Sequence, residues 1–424
     1  MSTHQVTFLL LDLALILLLS RAFGALAAKL GQPPVIGEVI AGILAGPTLL
    51  GSDLSTTLFP TEIRPSLAAL ANIGVAMFMF MVGLELNRRV LRRQGAIAVT
   101  VSVSSIVLPL GLGIALATFL WSRHPTDHRL GFLLFVGAAM SVTAFPVLAR
   151  ILTDRGLTQT TLGGLALACA AIDDVLAWTL LAAVIAIGGA GGSDSLLLLL
   201  VVPYLAVMLG VVRPLLRRML APAAKLTPGR LTAVFIGVLL SGAATEWMGL
   251  HFLFGAFLFG VLIPRDGTER LRGEILGTVE RFNGTLLLPV FFVVAGFRVD
   301  LSGIGAAGLV ELALIMLVAV SGKFGGAYVA ARLHRLPPRQ SGMLATLMNT
   351  RGLTELIILT VGLQLGLLDQ DLYSMMVVMA VVTTAMAGPL LRLFGHTGVA
   401  DRHEPEPDRV ATAGKSVTGA PDPV

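Results

Sequence analysis

The sequence predicts an all-α polytopic membrane protein of about thirteen transmembrane helices, and three observations carry that expectation. Apolar windows of about 20 residues, the length a helix needs to cross hydrocarbon, recur between polar breaks from Gln5 to Phe394. Charged residues make up 13% of the chain against 55% hydrophobic, about half the charge of a soluble domain. Two windows are interrupted by polar residues and proline, and a few ionisable side chains stand deep inside apolar stretches. A β-barrel would need alternation and aromatic girdles; 47 glycines and 6% aromatics instead suit helices packed on small residues.

The windows fall at about 5–28, 34–50, 66–86, 95–121, 130–149, 160–188 and 195–216, then at about 229–247, 250–264, 282–298, 306–331, 340–366 and 371–394. The first apolar run, Val6 to Leu19, lacks a charged leader and a cleavage site, so it reads as a retained span. An odd number of spans puts the termini on opposite sides. Alternate loops carry about nineteen Lys and Arg, including Arg88, Arg89, Arg92 and Arg93, against about four on the other side. A multi-pass protein of the cell membrane is expected, N-terminus outside and C-terminus cytoplasmic. The net charge of +5 is then a matter of topology, and no nucleic-acid partner is expected. The only cysteine, Cys169, lies in an apolar run and supports neither a disulfide framework nor a zinc site. Residues 265–281 alternate charged and apolar positions, predicting an interfacial helix between two halves. Residues 398–424, rich in Pro, Asp, Glu and Gly, predict a disordered cytoplasmic tail with no regulatory domain.

Charges in hydrocarbon cost about 2.5–3.5 kcal/mol each on insertion scales, so those present are functional candidates. Asp173 and Asp174 fall mid-span in ALACAAIDDVLAWTLL, and Lys323 falls inside VAVSGKFGGAYVAA. Arg351 and Glu355 stand four apart in LMNTRGLTELIIL, where they would compensate helix dipoles. In GAAMSVTAFPVLAR, Pro146 removes a backbone donor while Ser141 and Thr143 offer hydroxyls, so the helix is expected to unwind. The run Asn349, Thr350, Arg351, Gly352 predicts a second break. Each break is the fourth span of a five-span set, 2–6 or 9–13, and five spans inverted against five is a transporter pattern. Breaks of this kind expose carbonyls and half-helix ends where ions bind. Adjacent aspartates differ by about 100° around a helix, so only one can face a given partner. Asp12 and Cys169 read as structural, and His251 as interfacial. His124 and His128 flank Asp127 at a metal-like spacing that carries no weight alone.

Seven ordered segments resemble the cation/proton antiporter-2 family of bacterial sodium/proton and potassium/proton exchangers and plant cation/proton exchangers. They are GQPPVIGEVIAGILAGPTLLG at 31–51, MFMVGLELN at 79–87, SVTAFPVLARIL at 141–152, AAIDDVLAW at 170–178, FGAFLFGVLIP at 254–264, LPVFFVVAGFRVDL at 288–301 and LMNTRGLTELIIL at 347–359. The resemblance implies a sodium/proton antiporter-like fold of inverted five-helix repeats with two crossing discontinuous helices, and a homodimer in membrane lipid. It implies a dimer domain at about 1–86 and 195–264, and a core domain at about 95–188 and 282–394. It implies exchange of sodium or potassium for protons, with no cofactor. Asp174 would carry cation and proton, Asp173 would be its neighbour, and Lys323 their basic partner. Thr143 and Asn349 would mark the crossing. Some relatives have Asn-Asp where this chain has Asp-Asp, and that pairing with lysine resembles the electrogenic type. A channel-like efflux route or another solute on the same fold stays open at this point. An aspartyl protease needs its two aspartates on different helices, and here they adjoin on one.

Overall fold

A computed structural model describes residues 3–48, 56–85, 95–157, 160–188, 200–220, 225–248, 251–265, 267–302 and 304–394. The basic run Arg88 to Arg93 and the tail at 398–424 lie outside the described residues, as do 195–199.

All described regular structure is helical. The first half holds α1 (Thr3–Lys29), α2 (Pro34–Ala45), α3 (Arg64–Glu85), α4 (Gly95–Leu120), α5 (Arg129–Met140), α6 (Phe145–Asp154) and α7 (Thr161–Gly188). Then come α8 (Val201–Val207) and α9 (Arg213–Met219), joined by a π-turn at Met208–Val212, and α10 (Pro228–Trp247) and α11 (Phe252–Leu262). The rest is α12 (Glu269–Phe282), α13 (Leu288–Phe297), α14 (Ala306–Leu333), α15 (Pro338–Met348), α16 (Leu353–Gln364) and α17 (Gln370–Leu393). Eight of the described helices are long and apolar enough to cross a membrane. The expected breaks are present: α5 and α6 divide one window, α15 and α16 another. A half-helix of 12 residues, like α5 or α16, is about 18 Å long, so its inner end stops near the middle of the bilayer.

Packing separates the helices into two groups. In one, α1, α2, α3, α10, α11, α12 and α13 lie against one another; in the other, α4 to α7 and α14 to α17 do so. Between them α2 touches α17 and α13 touches α16. The first group is built on bare glycine backbone. A Cβ on Gly83 would fall 2.2 Å from the Phe257 carbonyl, and one on Gly260 2.2 Å from that of Phe80, so α3 and α11 meet backbone to backbone.

Two details depart from the sequence reading. Residues 282–298 were expected with the core, yet α13 packs on α2 and α3, because Gly42 and Gly296 leave no side chain between the backbones. The amphipathic stretch was expected as a separate linker, yet α12 runs into α13 through a π-turn at Asn283–Leu287, giving one helix from Glu269 to Phe297. That turn absorbs Pro289, which would otherwise remove a hydrogen bond from a continuous helix. The buried Asn283 side chain donates to the Gly74 carbonyl at 3.0 Å and pins the turn to α3.

Gly260→Ala is expected to destabilise the protein by about 1–3 kcal/mol through forced separation of α3 and α11. Gly111→Ala, where the added carbon meets nothing within 4 Å, should be neutral or slightly stabilising. Thermal unfolding of the two variants in detergent checks the contrast, and equal midpoints would refute the packing argument.

Candidate functional site

The site lies where the two broken helices cross. Residues 142–144 and 350–352 are not helical, and the Ala144 amide donates to the Thr350 carbonyl at 3.0 Å. Thr143 Oγ1 donates to the Met348 carbonyl at 3.0 Å, and Thr350 Oγ1 to that of Leu347 at 2.7 Å. Gly352 is needed for proximity, since a Cβ there would lie 2.5 Å from Val147. Thr384 of α17 holds the second stretch by both ends of one residue: its hydroxyl accepts from the Arg351 amide at 2.9 Å and donates to the Arg351 carbonyl at 2.7 Å.

Long helices bring the charges here. Asp173 and Asp174 lie near the middle of the 28-residue α7, and Lys323 lies on α14. α14 approaches α4 closely because Gly322 and Gly326 face Pro109 and Ser104, with a Cβ on Gly326 only 2.4 Å from the Ser104 carbonyl. Lys323 Nζ is thereby set 2.9 Å from Asp173 Oδ2, with both side chains 0% exposed, and it also donates to the Ser141 carbonyl. Asp173 Oδ2 further accepts from Ser105 Oγ at 3.2 Å and lies 2.7 Å from Thr143 Oγ1, whose single proton it shares with the Met348 carbonyl. Asp174 points elsewhere, against the backbone amide of Phe145, and its buried Oδ1 has no hydrogen-bond partner among the described residues. Asn349, the C-cap of α15, also has a buried, unpartnered Oδ1.

The charges follow the half-helix dipoles. Arg351 Nη1 and Nη2 donate to the Ala139 and Met140 carbonyls, at 2.9 and 2.6 Å, and with Lys323 they answer the negative C-terminal end of α5. Asp174 stands at the positive N-terminus of α6, and Glu355 in the first turn of α16. Arg351 and Glu355 pair at 2.9 Å, both 0% exposed, although Arg351 lies in the non-helical stretch instead of on the helix with Glu355.

All nine residues singled out from the sequence therefore gather here: Asp173, Asp174, Lys323, Ser141, Thr143, Asn349, Thr350, Arg351 and Glu355. Ser105 and Thr384 were missed. Ser102, Ser104 and Ser105 in an otherwise apolar run, and the Thr383-Thr384 pair, were the available signals. Asp12 is buried away from the crossing with Oδ2 unpartnered, and Cys169 is buried beside the Ala98 carbonyl. His251 precedes α11 and is half-buried.

His124 joins neither His128 nor Asp127, which are exposed. In the loop after α4 its ring bridges Asp369, the N-cap of α17, at 2.5 Å and Glu311 of α14 at 3.2 Å, while Arg123 Nε lies 2.7 Å from Glu311. The Asp369 hydrogen bond raises the His124 pKa above its ordinary value, with burial opposing and Glu311 assisting. Burial works to raise the Asp369 carboxyl, but its bonds from His124 and the Leu372 amide outweigh that and hold it below the usual range.

Comparison with known proteins identifies the family. The family described as sodium/hydrogen exchanger, transmembrane, matches residues 14–395, so the chain belongs to the sodium/hydrogen exchanger family of multi-pass membrane proteins. The Na(+)/H(+) antiporter NhaS4 of Synechocystis is 42% identical over 403 residues, covering 92% of this chain and 98% of that one. Cation/H(+) antiporter 20 of Arabidopsis thaliana is 37% identical over 402 residues, 90% of this chain and 48% of its own length. K(+)/H(+) antiporter 1 of Saccharomyces cerevisiae is 30% identical over 412 residues, 92% of this chain and 47% of its own. The chain thus spans about half the length of those plant and yeast relatives. The solved structure of the sodium proton antiporter MjNhaP1 from Methanocaldococcus jannaschii superposes with a TM-score of 0.65 at 16% identity, over 92% of this chain and 100% of that one, and shares the fold.

Two outcomes follow from the charged contacts. Arg351→Met should cost about 3–5 kcal/mol, because it strands a buried Glu355. Arg351→Met with Glu355→Met should recover part of that and no more, since the Ala139 and Met140 carbonyls stay unserved; unfolding of all three proteins reads the difference, and full recovery would deny the capping role. The His124 contribution is complete below its unfolded pKa of about 6.5 and is lost as pH rises through the raised folded value. His124→Gln should therefore lower the unfolding midpoint more at pH 6 than at pH 9, and a pH-independent loss would refute the charged bridge.

Proposed function

We propose that the chain exchanges a monovalent cation, sodium or potassium, for protons by alternating access, and that the two compete for Asp174. The observation that supports this is the charge balance of the buried centre. Lys323 with Asp173 and Arg351 with Glu355 are neutral pairs, which leaves Asp174 as the acid at the crossing with no ion-pair partner and an unpaired buried oxygen. Ionised, it gives the centre one uncompensated negative charge, costly in hydrocarbon. A proton or a monovalent cation restores neutrality equally well, and each excludes the other. Exclusive occupancy couples the two flows.

An arriving cation meets oxygen ligands of the kind that replace a hydration shell: the Asp174 and Asp173 carboxylates, the Thr143 hydroxyl and the free Asn349 Oδ1. Lys323 would then yield Asp173 while keeping the Ser141 carbonyl. The moving body is the group α4–α7 with α14–α17, sliding against the group containing α1–α3 and α10–α13; the sparse contact across that boundary favours it. The homodimer and the inside C-terminus belong to the same reading. α8, which buries no residue, leaves an apolar face for a partner protomer. Relatives bear both sodium/proton and potassium/proton names, which leaves a channel-like route or another solute unfavoured.

Proteoliposomes holding an imposed pH gradient test the proposal. Sodium or potassium added to wild type should dissipate the gradient, and Asp174→Asn should abolish the response with the protein still folded. Cation-triggered proton movement persisting in Asp174→Asn would overturn the assignment.

A further inference from the structure

An apolar hollow of about 570 Å³ lies between α1, α2 and α17. Phe23, Leu26, Leu30, Ile36, Val382 and Met386 line it, and exposed Leu26, Leu30 and Val382 open it to the outside of the helix bundle. The hollow follows the seam between the two helix groups, so whatever fills it touches both. One end is basic. Gln32 lines both the hollow and a small pocket beside it formed with Gly31, Arg155 and Gly388. Three helix C-termini converge at that end, bringing Lys29 of α1, Arg155 just past α6 and Arg392 of α17. The Arg392 guanidinium lies over Gly31, 3.4 Å from where a Cβ would stand, and that of Arg155 lies over Gly388 at 3.1 Å. Cations at helix C-termini answer the dipole. Here they also form a rim on an apolar groove. Gln32 Nε2 donates to the Ala385 carbonyl at 3.1 Å, while its buried Oε1 accepts from no group among the described residues.

We infer that this groove holds an acyl chain of an anionic glycerophospholipid, its phosphate at Arg155, Arg392 and Lys29 and a headgroup hydroxyl donating to Gln32 Oε1. The apolar length of the groove selects a lipid over a free anion, and the basic rim selects an anionic lipid over a zwitterionic one. The site depends on membrane embedding alone and stands apart from the ion chemistry at Asp174.

Native mass spectrometry and thermal unfolding of the purified full chain, with added dioleoylphosphatidylglycerol, dioleoylphosphatidylcholine or sodium phosphate, test it. Wild type should retain phosphatidylglycerol in preference to phosphatidylcholine and be stabilised by it. Lys29→Gln with Arg392→Gln, both exposed positions whose loss spares the packing, should cut that preference roughly ten- to thirty-fold. Met386→Trp should reduce retention of both lipids, and Arg339→Gln, an exposed residue of α15, should change nothing. Equal retention of the two lipids by wild type, an undiminished preference in the double variant, or stabilisation by sodium phosphate alone would each overturn the lipid site.

Discussion

The constraint on which the structure depends is that four half-helix ends meet where no water can satisfy them. Each helix end leaves several backbone groups unpaired, and hydrocarbon makes every such group expensive. The molecule meets this with side chains instead of solvent. Arg351 and Lys323 serve the carbonyl end of α5, Asp174 and Glu355 stand at amide ends, and the Ala144–Thr350 bond ties the two non-helical stretches together. The exchange proposed above would use groups that the fold needs in any case. Among the described residues at the crossing, Asp174 Oδ1, Asn349 Oδ1, Glu355 Oε1 and Arg351 Nε keep no hydrogen-bond partner, and of these only Asp174 Oδ1 belongs to an ionisable side chain with no ion-pair partner.

Much of this was legible in the sequence, and the limits have physical causes. The spans, both breaks and the buried charges are local features, visible as apolar windows interrupted by Pro146 or by the run from Asn349 to Gly352. Which aspartate meets Lys323 was not legible. Neighbours 100° apart are equivalent until α14 is placed, and the Gly322 and Gly326 contacts with α4 decide for Asp173. Ser105 and Thr384 stayed hidden because hydroxyls are common in membrane helices, and only packing shows which are used. The His124 bridge joins positions 245 and 187 residues apart in the chain, which no local spacing around His124 could show. The membership of α13 was misplaced because bare glycines on α2 and α13, not polarity, choose its neighbours.

The two helix groups differ in how they are held. The first relies on glycine backbones in contact at α3–α11 and α2–α13, a close-range attraction with little tolerance for shifts. The second has a close glycine approach of its own, Gly322 and Gly326 of α14 against α4, and adds buried ion pairs and hydroxyls around the crossing, which are directional contacts. The apolar hollow lies on the boundary between these two styles of packing.

The π-turn at Asn283–Leu287 has a geometric consequence. Leu271, Ile275, Val279, Asn283 and Leu287 are all buried, a stripe repeating every fourth residue. An α-helix advances about 100° per residue, so that stripe would drift by about 160° across its sixteen steps. One extra residue taken up in the wide turn removes about 100° of the drift. The stripe has already come round by about 120° at Asn283, so the turn works as a phase corrector at that point, setting Leu287 back toward the face on which Leu271 began as the helix enters the apolar interior.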